Sequence, residues 1–382
     1  MTATVPEVVG CASAAVRVTA LRLRDFRSFA RLELDSGGGS VVVLGDNGAG
    51  KSNLLEAISL LAPGRGMRAA RQAELGRDLA PSWSIAARLE TRDGSVDLVT
   101  GMVPGQVRRD WRIDGAARRR GSDIASGLGI AWLTPAMDRL LVDGTGERRR
   151  FLDRLVLGSD PAYGKAFAVY ARDLRERSEV LTARPLDTAW LAVLEHRLAE
   201  NGVAIAAARR ALVVDLNSAL AAADHGFPRP VLDVRGEVES WLDQSPALAV
   251  EDRMREALAR SRAHDAEAGG AAIGPHRSDL VVRDARDGTA AALLSTGRQK
   301  AMLISIILAQ AQLRRERHGE APILLLDEVA AHLDATRRAE LAQVLDWIGA
   351  QAWLTGTDAA PFVALRGRAR FIQIVDGVVV SA

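Results

Sequence analysis

A glycine-rich loop at residues 45–52 constrains this chain more than any other feature of its sequence. The loop matches the pattern G-x-x-x-x-G-K-S, follows an apolar run at residues 41–44 and precedes a helix expected over residues 53–62. A strand, a glycine-rich turn and a helix N-terminus in this order form a cradle of backbone N–H groups for phosphate oxygens. The residues predicted to bind a nucleotide are Gly45, Asp46, Asn47, Gly48, Ala49, Gly50, Lys51 and Ser52.

Two side chains of this loop have predicted roles of their own. Lys51 is expected to bind the β- and γ-phosphates of ATP, and the Ser52 hydroxyl is expected to be a ligand of Mg²⁺. Of the 50 basic residues only Lys51, Lys165 and Lys300 are lysines. A planar guanidinium does not fit the phosphate cradle, whereas a compact ammonium does. A lysine in a chain so rich in arginine therefore indicates a specific requirement at residue 51.

An acidic pair, Asp327 and Glu328, ends a second apolar run at residues 323–326. A carboxylate at the end of a buried parallel strand faces the ligand crevice of an α/β sheet. Asp327 is predicted to hold Mg²⁺, and Glu328 is predicted to be the general base that polarises the attacking water. A surface acidic turn is the alternative, and Asp334 shortly afterwards argues against it.

A second phosphate loop precedes the helix expected over residues 299–317. A small hydroxyl and a glycine at a helix start form an anion site. One chain has no second nucleotide to fill this site, so we expect the loop to contact the γ-phosphate held by another copy, in a two-fold dimer. The alternative is an ordinary serine cap. The residues concerned are Ser295, Gly297, Arg298 and Gln299.

The pattern of the whole chain predicts an α/β fold with a helical insertion. Alternation over residues 16–34 predicts a strand pair, short strands are expected over residues 83–115, and a strand at 372–375 closes the sheet. Helical spacing is found at 187–223 and 250–268. We expect a disordered extension at 1–15, an ATPase lobe from 16–133 and 320–382, and a helical arm carrying the second loop at 134–319.

Composition excludes several classes of protein. The net charge is only +2, and the single cysteine, Cys11, excludes an internal disulfide. No apolar stretch reaches the roughly 18–20 residues of a membrane span, so a cytosolic protein is expected. Arginine clusters suit a nucleic-acid backbone, although a solvated surface or pairing inside the arm are alternatives. The candidate DNA contacts are Arg65, Arg68, Arg148, Arg149 and Arg150.

Taken together, these motifs resemble the ABC-type ATPase head shared by the SMC, Rad50 and RecF proteins. Stretches at residues 21–29, 64–68, 148–154 and 274–279 are similar to the RecF family in particular, and the resemblance spans residues 17–376. Asp334 matches the position of the family's D-loop aspartate. Ser278 departs from the pattern, because the family usually has an acidic residue there.

The resemblance implies a protein that dimerises on ATP and binds double-stranded or gapped DNA. The family acts in recombinational repair, DNA replication and the SOS response, and works with RecO and RecR in loading RecA. Slow hydrolysis is implied, because residues 353–358 lack the switch histidine of transporter ATPases. An ATPase subunit of an ABC-type transporter is the main alternative, and a nucleotide-dependent nuclease is a weaker one.

Overall fold

The chain divides into two compact units. The computed structural model describes residues 15–106, 108–118, 128–183 and 186–381. The first unit contains residues up to Ile130, Arg314–Asp327 and the chain from Leu341 onwards, and the second contains Ala131–Leu313 and Glu328–Glu340. These limits differ from those of the expected lobes chiefly in assigning residues 328–340 to the second unit.

An antiparallel sheet forms one layer of the first unit. Its strands alternate between buried apolar residues, such as Leu21 and Leu23, and exposed polar ones, such as Arg22 and Arg24, because successive side chains point to opposite faces. The first two strands are the strand pair predicted from the sequence. Its strands are β1 (Arg17–Phe26), β2 (Phe29–Asp35), β4 (Trp83–Thr91), β5 (Gly94–Met102), β6 (Asp110–Ile113) and β7 (Ala116–Arg118). Across the sheet they follow the order β2-β1-β4-β5-β6-β7.

A second, largely parallel sheet carries the phosphate loop. Its order is β14-β13-β3-β12-β11-β8, and β3 pairs in parallel with both β12 and β13. The strand predicted at 372–375 lies within β13, but it does not close the sheet, because β14 pairs outside it. The strands are β3 (Ser40–Leu44), β8 (Ile130–Leu133), β11 (Ile323–Leu326), β12 (Ala352–Gly356), β13 (Ala369–Val375) and β14 (Val378–Ser381).

The buried side chain of Gln351 joins the two sheets of the first unit. Its amide oxygen accepts a hydrogen bond from Val18 N at 2.8 Å, and its amide nitrogen donates to Val18 O at 2.8 Å and to Gly39 O at 2.9 Å. A buried amide with these partners is satisfied, so the contact stabilises the packing of β1 against the loop that enters β3. Helix α1 (Lys51–Ser59) follows β3 and ends three residues earlier than the predicted limit.

The second unit is mainly helical, as the expected arm requires. A hairpin of β9 (Pro230–Arg235) and β10 (Asp279–Asp284) accompanies the helices. The helix expected over 250–268 is two helices that meet at Ser261. The helices are α2 (Thr145–Ser159), α3 (Pro161–Thr182), α4 (Thr188–Ala222), α5 (Glu237–Leu242), α6 (Ala247–Arg260), α7 (Arg262–Ala268), α8 (Thr296–His318) and α9 (Ala335–Ile348). The last two begin in the second unit and end in the first.

Buried ion pairs organise the helical unit. Arg177 is almost fully buried, and its guanidinium donates to Glu195 at 3.1 Å, Asp265 at 2.8 Å and the carbonyl of Leu258 at 2.7 Å. A buried charge is tolerated only when it is paired and hydrogen-bonded, and these contacts satisfy that condition. They connect α3, α4, α6 and α7.

The chain before Ala15 lies outside the described residues, and with it most of the predicted disordered extension and Cys11. Ala15 itself, the last residue of that extension, forms a parallel β-bridge with Ala321 and is buried. Across the described ranges, none of the helices has both the length and the apolar character that a membrane span needs.

Candidate nucleotide site

The predicted phosphate loop connects the end of β3 to the start of α1, and its glycines are required by its geometry. Gly45, Gly48 and Gly50 have φ of 152°, 87° and 108°, a region that residues with a side chain rarely adopt. A Cβ atom on Gly45 would clash with the carbonyl oxygen of Ile374, and one on Gly50 would lie 2.7 Å from Ser28 Oγ. The loop therefore has this shape only with glycine at these positions.

The Lys51 side chain lies across the loop that precedes it. It is 5% exposed, and its ammonium donates to the carbonyl oxygens of Gly45 at 2.7 Å and Asp46 at 2.9 Å. Asp46, Asn47 and Gly48 are exposed at the rim of the loop. The ammonium is thus directed towards the loop whose backbone is predicted to hold the phosphates.

Asp327 lies at the end of β11 and accepts two hydroxyl hydrogen bonds. Its Oδ1 accepts from Ser52 Oγ at 3.0 Å and from Thr355 Oγ1 at 2.7 Å, and Asp327 is 4% exposed. Residues 52 and 327, which the sequence predicted as Mg²⁺ ligands, are therefore adjacent. Thr355 was not predicted, because nothing in its local sequence marks it as a partner of a carboxylate 28 residues earlier.

The Ser52 and Asp327 oxygens have the chemistry that suits Mg²⁺. This ion usually takes one or two protein oxygens and completes its shell with water and substrate phosphates. The described residues contain no group of three or more His, Cys, Asp or Glu side chains arranged to hold a metal. A hydroxyl and one carboxylate beside a phosphate loop fit a metal that is bound together with a nucleotide.

Glu328 follows Asp327 in the chain and belongs to the second unit. Its backbone is left-handed, with φ of 52°, and its carbonyl oxygen accepts a hydrogen bond from Lys300 Nζ at 3.3 Å. Asp334 precedes α9, and its exposed carboxylate accepts a hydrogen bond from Arg337 N at 2.8 Å. The predicted D-loop aspartate is therefore the N-cap of a helix.

The second loop has two accessible and two inward-facing members. Ser295 is exposed just before α8 begins, and Gly297 lies in the first turn of that helix. The Gln299 amide is buried and donates to the carbonyls of Ala292 at 3.2 Å and Leu294 at 2.8 Å. The Gln299 amide therefore holds the loop from within, and the contact of this residue with a partner's nucleotide stays a prediction.

Arg298 is also turned towards its own chain. Its guanidinium forms an ion pair with the buried carboxylate of Asp284 at the end of β10. The side chain remains 31% exposed. Among the four predicted residues, Ser295 and Gly297 thus form the accessible part of this loop. They lie at a helix N-terminus, which presents backbone N–H groups without intrahelical partners.

The arginines after α1 differ in their surroundings. Arg65 is exposed, whereas Arg68 donates to Asn53 Oδ1 at 2.6 Å and lies 3.2 Å from Glu56 Oε2. The fully buried Glu56 carboxylate also receives a bidentate pair from Arg27 at 2.9 and 2.8 Å. Arg68 therefore has a structural contact in addition to its predicted contact with DNA.

The arginine run in α2 is mostly engaged inside the helical unit. Arg148 is 16% exposed and binds Asp279 through two hydrogen bonds of 2.8 and 2.9 Å, which raise its pKa. Arg149 donates to the Ser278 carbonyl at 2.8 Å, and desolvation lowers its pKa. Arg150 is 73% exposed and pairs with the exposed Glu147. Pairing with an acidic residue inside the arm, the alternative considered from the sequence, describes the half-buried Arg148. Arg149 binds a backbone carbonyl, and Arg150 has the most exposed side chain of the three beside Glu147.

Comparisons with known proteins agree with this geometry. The family model described as RecF/RecN/SMC N terminal domain matches residues 17–357. The DNA replication and repair protein RecF of Mesorhizobium japonicum is 46% identical over 371 residues, which are 96% of this chain and 98% of that protein. No comparison favours the transporter ATPase considered above.

Solved structures show the same fold. The recombination mediator protein RecF-ATPrS in the RecFOR pathway is similar with a TM-score of 0.83 and 21% identity over 97% of this chain and 99% of the other. An Smc head domain from Pyrococcus furiosus is similar with a TM-score of 0.53 and 16% identity, over 96% of both chains. The predicted α/β ABC-type ATPase head with a helical insertion is confirmed, and the chain belongs to the RecF family.

Proposed function

We propose that this chain is an ATP-dependent DNA-binding clamp of recombinational DNA repair. The observation that carries the proposal is the hydrogen-bonded set of Ser52, Asp327 and Thr355 beside a glycine-required phosphate loop. Family membership supports the repair role, because the relative in Mesorhizobium japonicum is a DNA replication and repair protein. The fold shared with a RecF bound to an ATP analogue supports ATP as the nucleotide.

In this proposal the backbone of residues 45–52 and the Lys51 ammonium bind the phosphates. Ser52 and Asp327 would hold Mg²⁺, which would supply positive charge to the phosphate oxygens when bound. Glu328 accepts a proton from the water that attacks the γ-phosphorus, and ADP is the leaving group. Turnover is slow and stimulated by DNA, so that hydrolysis acts as a switch.

Dimerisation follows from the second loop. Ser295 and Gly297 are accessible at a helix N-terminus, and we place them on the γ-phosphate bound to a second copy. Two identical loops and two nucleotides then form a two-fold interface. RecO and RecR are the proposed partners in the cytoplasm, consistent with the RecFOR pathway to which the similar structure belongs.

Double-stranded or gapped DNA is the proposed ligand of the closed dimer. Arg65 and Arg150 are the predicted contacts with the most open guanidinium groups, and they suit phosphates rather than base edges. Binding should therefore depend on salt and little on DNA sequence.

The proposal is tested by DNA-binding anisotropy with a double-stranded probe, with and without Mg²⁺ and ATP. Lys51→Met should lose ATP binding and ATP-dependent DNA binding, because the phosphates lose their cation. Lys165→Met is the matched control, since Lys165 is an exposed lysine of the helical unit. ATP binding by the wild-type protein without any ATP-dependent DNA binding would contradict the clamp and favour an ATPase of another class.

A further inference from the structure

Lys300 is a buried lysine that the nucleotide chemistry described above does not use. It lies on α8, five residues after Ser295, and is 2% exposed. Its Nζ lies 3.2 Å from the Asp138 carboxylate and 3.3 Å from the backbone carbonyl oxygen of Glu328. All three residues belong to the second unit.

The choice of lysine at this position needs an explanation. Burial of an ammonium is unfavourable unless it is paired, and Asp138 provides the pair. Lysine is otherwise rare, since only Lys51, Lys165 and Lys300 occur among 50 basic residues. A guanidinium is planar and larger than an ammonium, so an arginine here would have to place a wider group in the same buried space. The chain thus has a lysine at this buried position, although its usual basic residue is arginine.

The carbonyl that Lys300 binds belongs to a constrained peptide. Glu328 has φ of 52°, in the left-handed region that a non-glycine residue adopts only when its surroundings hold it there. The direction of the Glu328 side chain depends on this backbone conformation. A hydrogen bond to its carbonyl thus acts on the orientation of the proposed general base.

We propose that Lys300 is a positioning residue that makes the orientation of Glu328 depend on the second loop. The inference rests on the proposed function. Ser295 and Gly297, which we place on the partner's γ-phosphate, begin the same helix whose next turn carries Lys300. Closure of the loop on one nucleotide then fixes the base at the other, so the two sites hydrolyse ATP only in the assembled dimer.

The test begins with Lys300→Met, which keeps the apolar stem and removes the ammonium. We expect ATP affinity and ATP-dependent dimerisation within about threefold of wild type, with kcat reduced at least about tenfold and KM little changed, because only an orientation needed for reaction is lost. The rate per molecule should rise with protein concentration in the wild type and stay flat in this variant, even where sedimentation shows a dimer.

A double variant separates positioning from structural support. Lys300→Met leaves Asp138 without its cation and should lower the thermal midpoint, whereas Lys300→Met with Asp138→Asn removes both charges and should recover it. We expect kcat to remain low in the double variant. Recovery of kcat together with stability would overturn the proposal, and so would loss of ATP binding by Lys300→Met. Failure of the wild-type protein to bind or hydrolyse ATP would instead refute the proposed function itself.

Discussion

Arg148 and Arg150 lie two residues apart on α2. Substitution by methionine should lower stability at residue 148 and weaken DNA binding at residue 150. Arg148→Met removes the two hydrogen bonds of the ion pair with Asp279. The two side chains are 16% and 26% exposed, so this pair is intermediate between an exposed and a fully buried ion pair. Exposed pairs contribute roughly 0–1 kcal/mol and breaking a buried pair costs roughly 3–5 kcal/mol, so we expect a loss of about 2 kcal/mol. For a unit of roughly 200 residues, that loss lowers the thermal midpoint by about 4–8 °C.

Arg150→Met should leave stability almost unchanged, because its pair with Glu147 is exposed. It should instead weaken DNA binding and reduce the slope of log K against log salt by about 0.9, the value for one phosphate contact with duplex DNA. Arg148→Met should keep the wild-type slope. The two variants are compared by thermal unfolding and by anisotropy with duplex DNA between about 50 and 200 mM salt. Over this range a protein with roughly 6–10 phosphate contacts loses about 10³–10⁵ in DNA affinity, so the slope is measurable.

Adding Asp279→Asn to Arg148→Met provides a control, since removal of both charges should restore most of the lost stability. The reasoning fails if Arg148→Met alters the salt slope while leaving the unfolding midpoint unchanged. That result would mean that the guanidinium is available to DNA and that Asp279 does not hold it.

Three further predictions concern the clamp and the helical unit. Ser295→Arg should bind ATP normally, remain monomeric by sedimentation and lose ATP-stimulated DNA binding, whereas loss of ATP binding by the monomer would mean that the loop acts on its own chain's nucleotide. Glu328→Gln should bind ATP, hydrolyse it at least about 100-fold more slowly and accumulate as the dimer; turnover at the wild-type rate would identify another base. Burial lowers the pKa of His276, and in the neutral ring Nδ1 accepts from the Tyr170 hydroxyl while Nε2 donates to the Ala271 carbonyl. The stability that this contributes is complete above about pH 6.5 and is lost as pH falls below that value, so the midpoint should drop less between pH 7.5 and 5.5 in His276→Gln.

The shape of the glycine-rich loop and the position of the acidic pair at a strand end could be predicted from the sequence, because each is local. Gly45 to Ser52 forms one turn, and Asp327 ends a run of aliphatic residues that β11 buries completely. The helix start that follows the second loop was also expected, and α8 begins at Thr296. In each case the chemistry follows from neighbours in the chain.

Side-chain partners that are distant in the chain could not be predicted in this way. Thr355 binds Asp327 only because β12 lies beside β11 in the sheet. Arg298 faces inward because Asp284, at the end of β10, is buried without another cation in contact with it among the described pairs. Composition and spacing identify a basic residue. The position of the acidic side chain that pairs with it decides whether the basic side chain faces solvent.

Local turn chemistry explains the remaining differences in the fold. The sheet continues beyond 372–375 because Asp376 and Gly377 have φ of 48° and 75°, as a tight hairpin turn requires. The Asp-Gly pair is a hairpin signal that the sequence contained. The break at Ser261 is less visible, since the residues on both sides of it have helical spacing.

The position of β3 in its sheet also affects how the chain matures on the ribosome. Val41 of β3 has Trp353 on one side and Arg370 on the other. Synthesis proceeds at about 5–20 residues per second, so roughly 15–65 s separate the appearance of β3 from that of β13. Residues 131–313, which form most of the other unit, emerge during that interval and can pack first. The phosphate loop is therefore made long before the two strands that flank β3, so a nascent or prematurely terminated chain lacks the sheet neighbours that surround this loop.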